Sequence, residues 1–195
     1  RVLFRSNPFE KETPFLQTPT LKLPKNPKTI VTAASQDNMI NEVNSLRETD
    51  CRLLQSKNYE VFFAKAVEIP NILHEIGRLR EVTFREVGEG TNESIDIDSF
   101  DAHYRHMFLW DDEAQKVAGA YRMGLGSEIF ANRGIEGFYL NDLFRFEPEL
   151  YDMLSKSIEM GRAFIIKEYQ QKPMPLFLLW KGIIHITLRY PEHKF

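Results

Sequence analysis

The chain has 195 residues, enough for one domain with a sizeable core plus a tail, and its 43% hydrophobic and 27% charged fractions are those of a globular protein. A net charge of −3 gives no electrostatic reason to expect nucleic acid, and the single cysteine, Cys51, excludes an internal disulfide framework and fits a reducing cytoplasm. No stretch reads as a signal peptide. The longest apolar run, Pro173 to Ile184, contains Lys181 and is too short to span a bilayer, so any lipid contact is expected to be peripheral, at the cytoplasmic face of the inner membrane.

The first residue is not methionine, so the chain reads as part of a longer frame, and residues 1–6 read as a translated adapter rather than folded sequence. Pro8, Pro14, Pro19, Pro24 and Pro27 make Asn7 to Lys28 an extended linker. Met39, Ile40, Val43 and Leu46 share one helical stripe after Ser35, a plausible cap; that helix either docks on the domain or belongs to something upstream. Residues 1–50 are thus a linker with a short helix, and residues 51–195 the domain.

Within the domain, Cys51–Gln55 and Glu60–Ala66 read as strands, and Pro70 opens a helix with a stripe of Ile72, Leu73, Ile76, Leu79 and Thr83, stopped by Gly88 and Gly90. An acidic loop follows. Tyr104–Trp110 and Lys116–Leu125 form a hairpin, then come a short helix at Glu128–Asn132, a strand at Leu143–Phe146 and a helix near Glu149–Lys156. A strand at Ile158–Ile166 and a strong helix from Pro175 to Arg189 complete the series. Strands interspersed with helices predict an α/β (α+β) sheet covered by helices.

Charge sits beside apolar residues in Arg80-x-x-x-Phe84, Asp96-x-Asp98-x-x-Asp101, Gly119-x-Tyr-Arg122, Glu159-x-x-Arg162 and the segment Tyr169 to Trp180. Charges in central strands are costly unless paired, and three arginines against four carboxylates would pair almost completely. On spacing alone this set reads as a buried ion-pair network that holds the sheet. His103-x-x-His106 lacks a third ligand at useful spacing, so no metal is expected; Cys51 reads as packing, and Gly124-x-Gly126 is no dinucleotide fingerprint.

These islands, in this order and spacing, resemble those of acyl-homoserine-lactone synthases and, more closely, the ornithine- and glycine-lipid N-acyltransferases often labelled haemolysins, which share the GNAT superfold. Glu75-Ile-Gly-Arg-Leu-Arg80, Gly88-Glu-Gly-Thr91, Phe100-Asp-Ala-His-Tyr104 and Leu178-Leu-Trp-Lys-Gly182 read like the Bacteroidetes-type branch. The resemblance implies transfer of a long-chain, optionally 3-hydroxylated, acyl group from acyl carrier protein to an amino acid's α-amine. It also implies an upstream phospholipid-type acyltransferase domain, no bound cofactor, and acyl-phosphopantetheine as donor. Carried over residue by residue, it makes Glu159 the base with Arg122 and Arg162 beside it in the catalytic set. Arg80, Phe84, Asp98 and Asp101 then form the acceptor pocket, and Ala163, Phe164, Ile165 and Trp180 hold the acyl-pantetheine arm. Arg122 or Arg162 is expected to grip the acceptor's carboxylate.

Two departures from the pattern matter. A tryptophan expected shortly after Phe84 is replaced by Gly90, which counts against a lactone synthase using S-adenosylmethionine. The glycine-rich pyrophosphate loop is replaced by Tyr169-Gln-Gln-Lys-Pro-Met-Pro175, which favours the single phosphate of phosphopantetheine over coenzyme A, with Lys167 and Lys172 placed to meet an acidic carrier. A membrane-lytic or scaffold protein is the non-enzymatic alternative. In the family a further strand follows the last helix and splays from the Glu159 strand; Pro191 to Phe195 reads as the approach to it, so the domain is expected to be truncated before its last strands.

Overall fold

The computed structural model describes residues 26–195 and, as backbone alone, Val2–Phe4. The rest of the expected linker lies outside the described residues. Five strands, β2 (Arg52–Ser56), β3 (Tyr59–Lys65), β4 (Arg105–Asp111), β5 (Lys116–Leu125) and β7 (Ile158–Ile165), form one antiparallel sheet in the order β2-β3-β4-β5-β7. This is the expected α/β sheet covered by helices. Both faces of its central strands are covered, so consecutive residues are buried: Phe62 stacks on Phe108 at 5.3 Å, and their neighbours Val61 and Met107, with Trp110, are fully enclosed.

The β4–β5 hairpin turns where Asp111 makes it turn. Its Oδ1 accepts the backbone N–H groups of Glu113 and Ala114, each at 3.1 Å, and Gln115 closes the loop at φ 53°. Helix α1 (Gln36–Arg47) buries Met39, Val43 and Leu46 in the main core, so of the two placements open to it, it docks on the domain. It also caps helix α2 (Pro70–Glu86): the Glu42 carboxylate accepts the N–H groups of Asn71 at 2.8 Å and Ile72 at 2.9 Å, donors that a first helical turn leaves free. Past the far end of α2, Gly88 takes φ +78°, and buried Glu81 gathers the loop through Thr91 and Asn92.

Between β5 and β7 the chain makes short pieces: α3 (Gly126–Arg133), α4 (Leu140–Leu143), β6 (Phe144–Phe146) and α5 (Tyr151–Ser155). They close a second small core of Tyr104, Ile129, Phe138 and Leu154. The expected strand at Leu143–Phe146 exists, but it pairs with β1 (Val2–Phe4) in a separate ribbon and takes no part in the main sheet. After β7 come α6 (Lys167–Gln170) and α7 (Pro173–Arg189). At the start of β7, Phe195 N–H donates to Lys156 O at 3.3 Å and Ile158 N–H donates to Phe195 O at 2.8 Å, the exchange of a parallel pair.

α7 lies on the sheet face of Val61 and Met107, and Gly182 is what lets it approach. A Cβ there would stand 2.8 Å from Met107 Sδ and 3.0 Å from Val61 Cγ1. Gly182→Val should therefore destabilise the fold by about 1–3 kcal/mol through overpacking. Urea unfolding should show a lower midpoint with an unchanged slope; an unchanged midpoint would mean that the helix has room to stand off the sheet.

Candidate active site

The site begins with an irregularity in β7. Opposite Ala120, Tyr121 and Arg122 of β5, the partner strand places Phe164 against Ala120 and Gly161 against Arg122, with both Arg162 and Ala163 between. The extra residue bulges, and Arg162 takes the left-handed conformation at φ 51°. For a non-glycine residue that costs about 1–2 kcal/mol, the kind of strain that is kept where geometry is used. The bulge turns Arg162 into a cavity of about 340 Å³ lined by Phe84, Glu89, Arg122, Tyr139, Gly161, Arg162 and Ala163.

Beneath it lies an ion cluster. Arg80, 1% exposed on α2, donates from Nη2 to Asp101 Oδ1 at 2.9 Å. From β5, Arg122 Nη1 donates to Asp98 Oδ1 at 2.6 Å and lies 3.4 Å from Asp101 Oδ2. The loop folds round the same carboxylates, since Asp98 Oδ1 accepts Phe100 N–H at 2.8 Å and Asp101 Oδ2 accepts Asp98 N–H at 2.8 Å. Burial works to raise the Asp98 carboxyl, but the hydrogen bond and charge of Arg122 prevail and hold it below its ordinary value. At Asp96 burial wins. Its carboxyl lies above the ordinary value despite the charges of Arg80 and Arg162, and among the described residues its Oδ2 has no hydrogen-bond partner. His106, opposite Arg122 on β4, donates from Nε2 to Asp101 O, 3.0 Å away, and burial pushes its imidazole down to about 4.

Arg162 stands apart from its two companions. Its Nη1 lies 3.5 Å from Asp96 Oδ2 and its Nη2 3.5 Å from Asp98 Oδ2, and among the described residues no hydrogen bond reaches it. Tyr139 lies within 5.7 Å of both arginines, its ring centroid 5.2 Å from the Arg122 guanidinium and 5.7 Å from that of Arg162.

Glu159 is buried and, among the described residues, makes no ion pair with the arginines. Its carboxylate accepts Tyr104 O–H, Tyr139 N–H at 3.2 Å and Leu140 N–H at 2.8 Å, so it fastens the start of α4 to β7. The expected set of three arginines and four carboxylates is in fact three and three. Glu159 leaves the network because backbone donors at Tyr139 and Leu140 reach it first.

The residues expected along the donor arm divide. Ala163, with Glu89 and with Phe84 of the expected acceptor pocket, lines both the arginine cavity and an adjoining cavity of about 320 Å³ that Tyr121, Phe164 and Ile165 also line. Ile166 N–H is occupied by Ala118 O at 3.0 Å, and Ile165 O accepts from Gln170 Nε2 at 2.8 Å. Trp180 is on the outward side of α7, in a groove with Gln170, Lys172, Leu176 and Phe177 and away from Ala163, Phe164 and Ile165. Gly90, where the tryptophan was expected, packs on Arg85: a Cβ would stand 2.5 Å from its Cγ and 3.1 Å from its Cα, leaving no space for an indole. Tyr139, Tyr104 and Glu89 are site residues that the sequence did not single out. Asp96 stood in a recognised island without a role.

The family described as acetyltransferase (GNAT) domain matches residues 79–180. A glycine N(alpha)-acyltransferase of Bacteroides thetaiotaomicron is 32% identical over 155 residues, covering 74% of this chain and 46% of that protein. One from Phocaeicola vulgatus is 33% identical over 155 residues, covering 74% and 48%. The chain thus spans about half the length of the curated relatives it matches. No solved structure matches it.

Asp96 makes the stability of the cluster depend on pH. Because its folded carboxyl lies above the ordinary value, the stability it contributes is full below the unfolded pKa and is lost as pH rises through the folded one. Asp96→Asn should therefore melt at a higher temperature than the parent near neutral pH. The difference should close as pH falls to the ordinary aspartate range, about 4. A variant that melts lower at neutral pH would show that pairing with Arg80 and Arg162 outweighs burial.

Proposed function

The chain belongs to the acetyltransferase (GNAT) domain family, and from that premise we propose that it moves a long-chain acyl group from the phosphopantetheine of an acyl carrier protein to the α-amine of glycine, giving a lyso-aminolipid. The names of the relatives support the acceptor, glycine, and the reaction, N-acylation. The observation that carries the reading is Arg162: a guanidinium in a cavity, aimed by a strained bulge and without a hydrogen bond among the described residues, offers a planar fork to a carboxylate. Arg80 and Arg122 already donate to Asp101 and Asp98, so Arg162 is the acceptor's clamp.

In the reaction the amine attacks the thioester carbonyl, the C–N bond forms, the C–S bond breaks, and the proton lost by the amine is balanced by protonation of the pantetheine thiol. The thioester lies in the cavity along Ala163, Phe164 and Ile165, which adjoins the clamp through Phe84 and Ala163. Between α6 and α7 only Gln171 and Lys172 intervene before Pro173 starts the helix, which supports a donor with one phosphate over one with a pyrophosphate. The closed space at Gly90 weighs against the lactone synthases.

Incubating the protein with acyl carrier proteins and an amino-acid panel, then weighing the lipids formed, tests the activity; no acylated amino acid from any pair would refute it. Arg162→Lys keeps the charge but loses the fork. It should raise the KM for glycine by roughly 10- to 100-fold while leaving the KM for the acyl carrier protein unchanged. Equal change in both constants would remove Arg162 from the acceptor site.

Glu159 takes a positioning role, because two of the three donors on its carboxylate are the backbone N–H groups of Tyr139 and Leu140, and the third, Tyr104 O–H, itself accepts from Tyr139 N–H. Glu159→Gln should then lower turnover by up to about 100-fold with the pH dependence of kcat/KM retained. Disappearance of the acidic limb of that profile would instead make Glu159 the base.

A further inference from the structure

Helix α7 is apolar on both sides. Leu178, Leu179, Gly182 and Ile186 face the sheet and are buried. On the outer side Leu176, Phe177, Trp180, Ile184 and Leu188 are 50–73% exposed. Leu176, Trp180, Ile184 and Leu188 recur every fourth residue and so form one stripe along the helix. Single exposed apolar side chains need no explanation, but a contiguous stripe of this length marks a surface that meets something apolar.

Two further observations say what it meets. From Tyr169 to Pro191 there is no Asp or Glu, while Lys172, Lys181, His185 and Arg189 fall in that stretch of a chain whose net charge is −3. The stripe also runs into the groove of about 510 Å³ at the start of α7, and that groove shares Gln170 and Leu176 with the cavity along Ala163, Phe164 and Ile165. Arg189 is paired with Asp50, but an apolar face with tryptophan, flanked by Lys172 and Lys181 and with no acid on its own helix, has the chemistry of an interfacial helix on anionic lipid.

We propose that the outer face of α7 seats the protein on an anionic membrane surface, with the helix lying in the plane of the headgroups and the groove opening at lipid level. Trp180 and its neighbours enter the acyl boundary, and Lys172 and Lys181 meet lipid phosphates. The helix does not cross: no helix among the described residues is long and apolar enough to do so. The inference goes beyond acyl transfer and is tested without substrate, so its failure leaves the proposed activity standing.

The chain carries its own probe. Trp110 is 0% exposed and Trp180 63%, so a change in tryptophan emission on adding vesicles reports Trp180. Vesicles of phosphatidylcholine with phosphatidylglycerol should shift the emission to the blue and carry the protein down on sedimentation, more weakly in high salt and more weakly still without phosphatidylglycerol. Combining Leu176→Ser, Ile184→Ser and Leu188→Ser should weaken sedimentation by roughly ten-fold or more. Trp180→Phe should lose the shift and still sediment. The proposal is overturned if neither vesicle binds, if the triple variant sediments like the parent, or if binding ignores both phosphatidylglycerol and salt. It is equally overturned if concentrating the protein without lipid gives the blue shift and a dimer by light scattering, since a second copy would then be the occupant.

Discussion

Asp101 is the carboxylate that two layers of the protein share. Arg80 reaches it from helix α2, Arg122 from the adjoining sheet, and its own loop closes on it through Asp98 N–H. In water such a set would be worth little, but here Arg80 and Asp101 are both enclosed, and a buried charge is tolerated only with its partner. Removing one member would strand the other at a cost of about 3–5 kcal/mol. The placement of α2 against β5, and with it the walls of the site, therefore depends on the cluster being complete.

The count of charges explains why one arginine is different. Three aspartates, Asp96, Asp98 and Asp101, stand against three arginines, yet the hydrogen bonds are unevenly divided. Asp98 and Asp101 are held by Arg80, Arg122 and backbone N–H groups. Asp96 and Arg162 face each other at 3.5 Å, close enough to balance charge and too far to satisfy a donor. The bulge causes this, because an extra residue in β7 sets the Arg162 side chain off the regular alternation that aims Arg122. A cation neutralised in this loose way can exchange its contacts for those of an incoming carboxylate without leaving a buried charge alone.

Much of the fold was legible because burial imposes a period. The stripes of α1 and α2, the strands around Phe62 and Phe108, and the turn at Asp111 all follow from residue spacing and turn chemistry. The ion-pair islands were legible too, since charges among apolar strand residues must find partners. The stretch from Gly126 to Ser155 was harder: its elements are too short for a period to show, and β6 pairs with a segment far away in the chain. Tyr139 went unread for that reason. The bulge left no sign either, because the left-handed position is held by arginine, where a glycine would have signalled it. On spacing Glu159 reads as an arginine partner, and by resemblance as the base, because spacing cannot show that backbone N–H groups of a distant loop reach its carboxylate.

Arg162 and Ala163 are consecutive, and the proposed chemistry follows from that adjacency. The proposed clamp for an acceptor's carboxylate and the strand segment proposed to hold the thioester are adjacent in the chain, and the two cavities meet at Ala163, Phe84 and Glu89. Holding both partners on one rigid strand turns a bimolecular encounter into a fixed approach, a source of up to about 7–11 kcal/mol of barrier lowering. Tyr139 completes the arrangement by lying beside both arginines, and Glu159 fixes Tyr139 from the same strand. The proposed clamp, the proposed thioester track and the Tyr139 ring are thus all referred to β7, so under the proposed reaction a small acceptor and a long donor would be aligned without any large movement of the sheet.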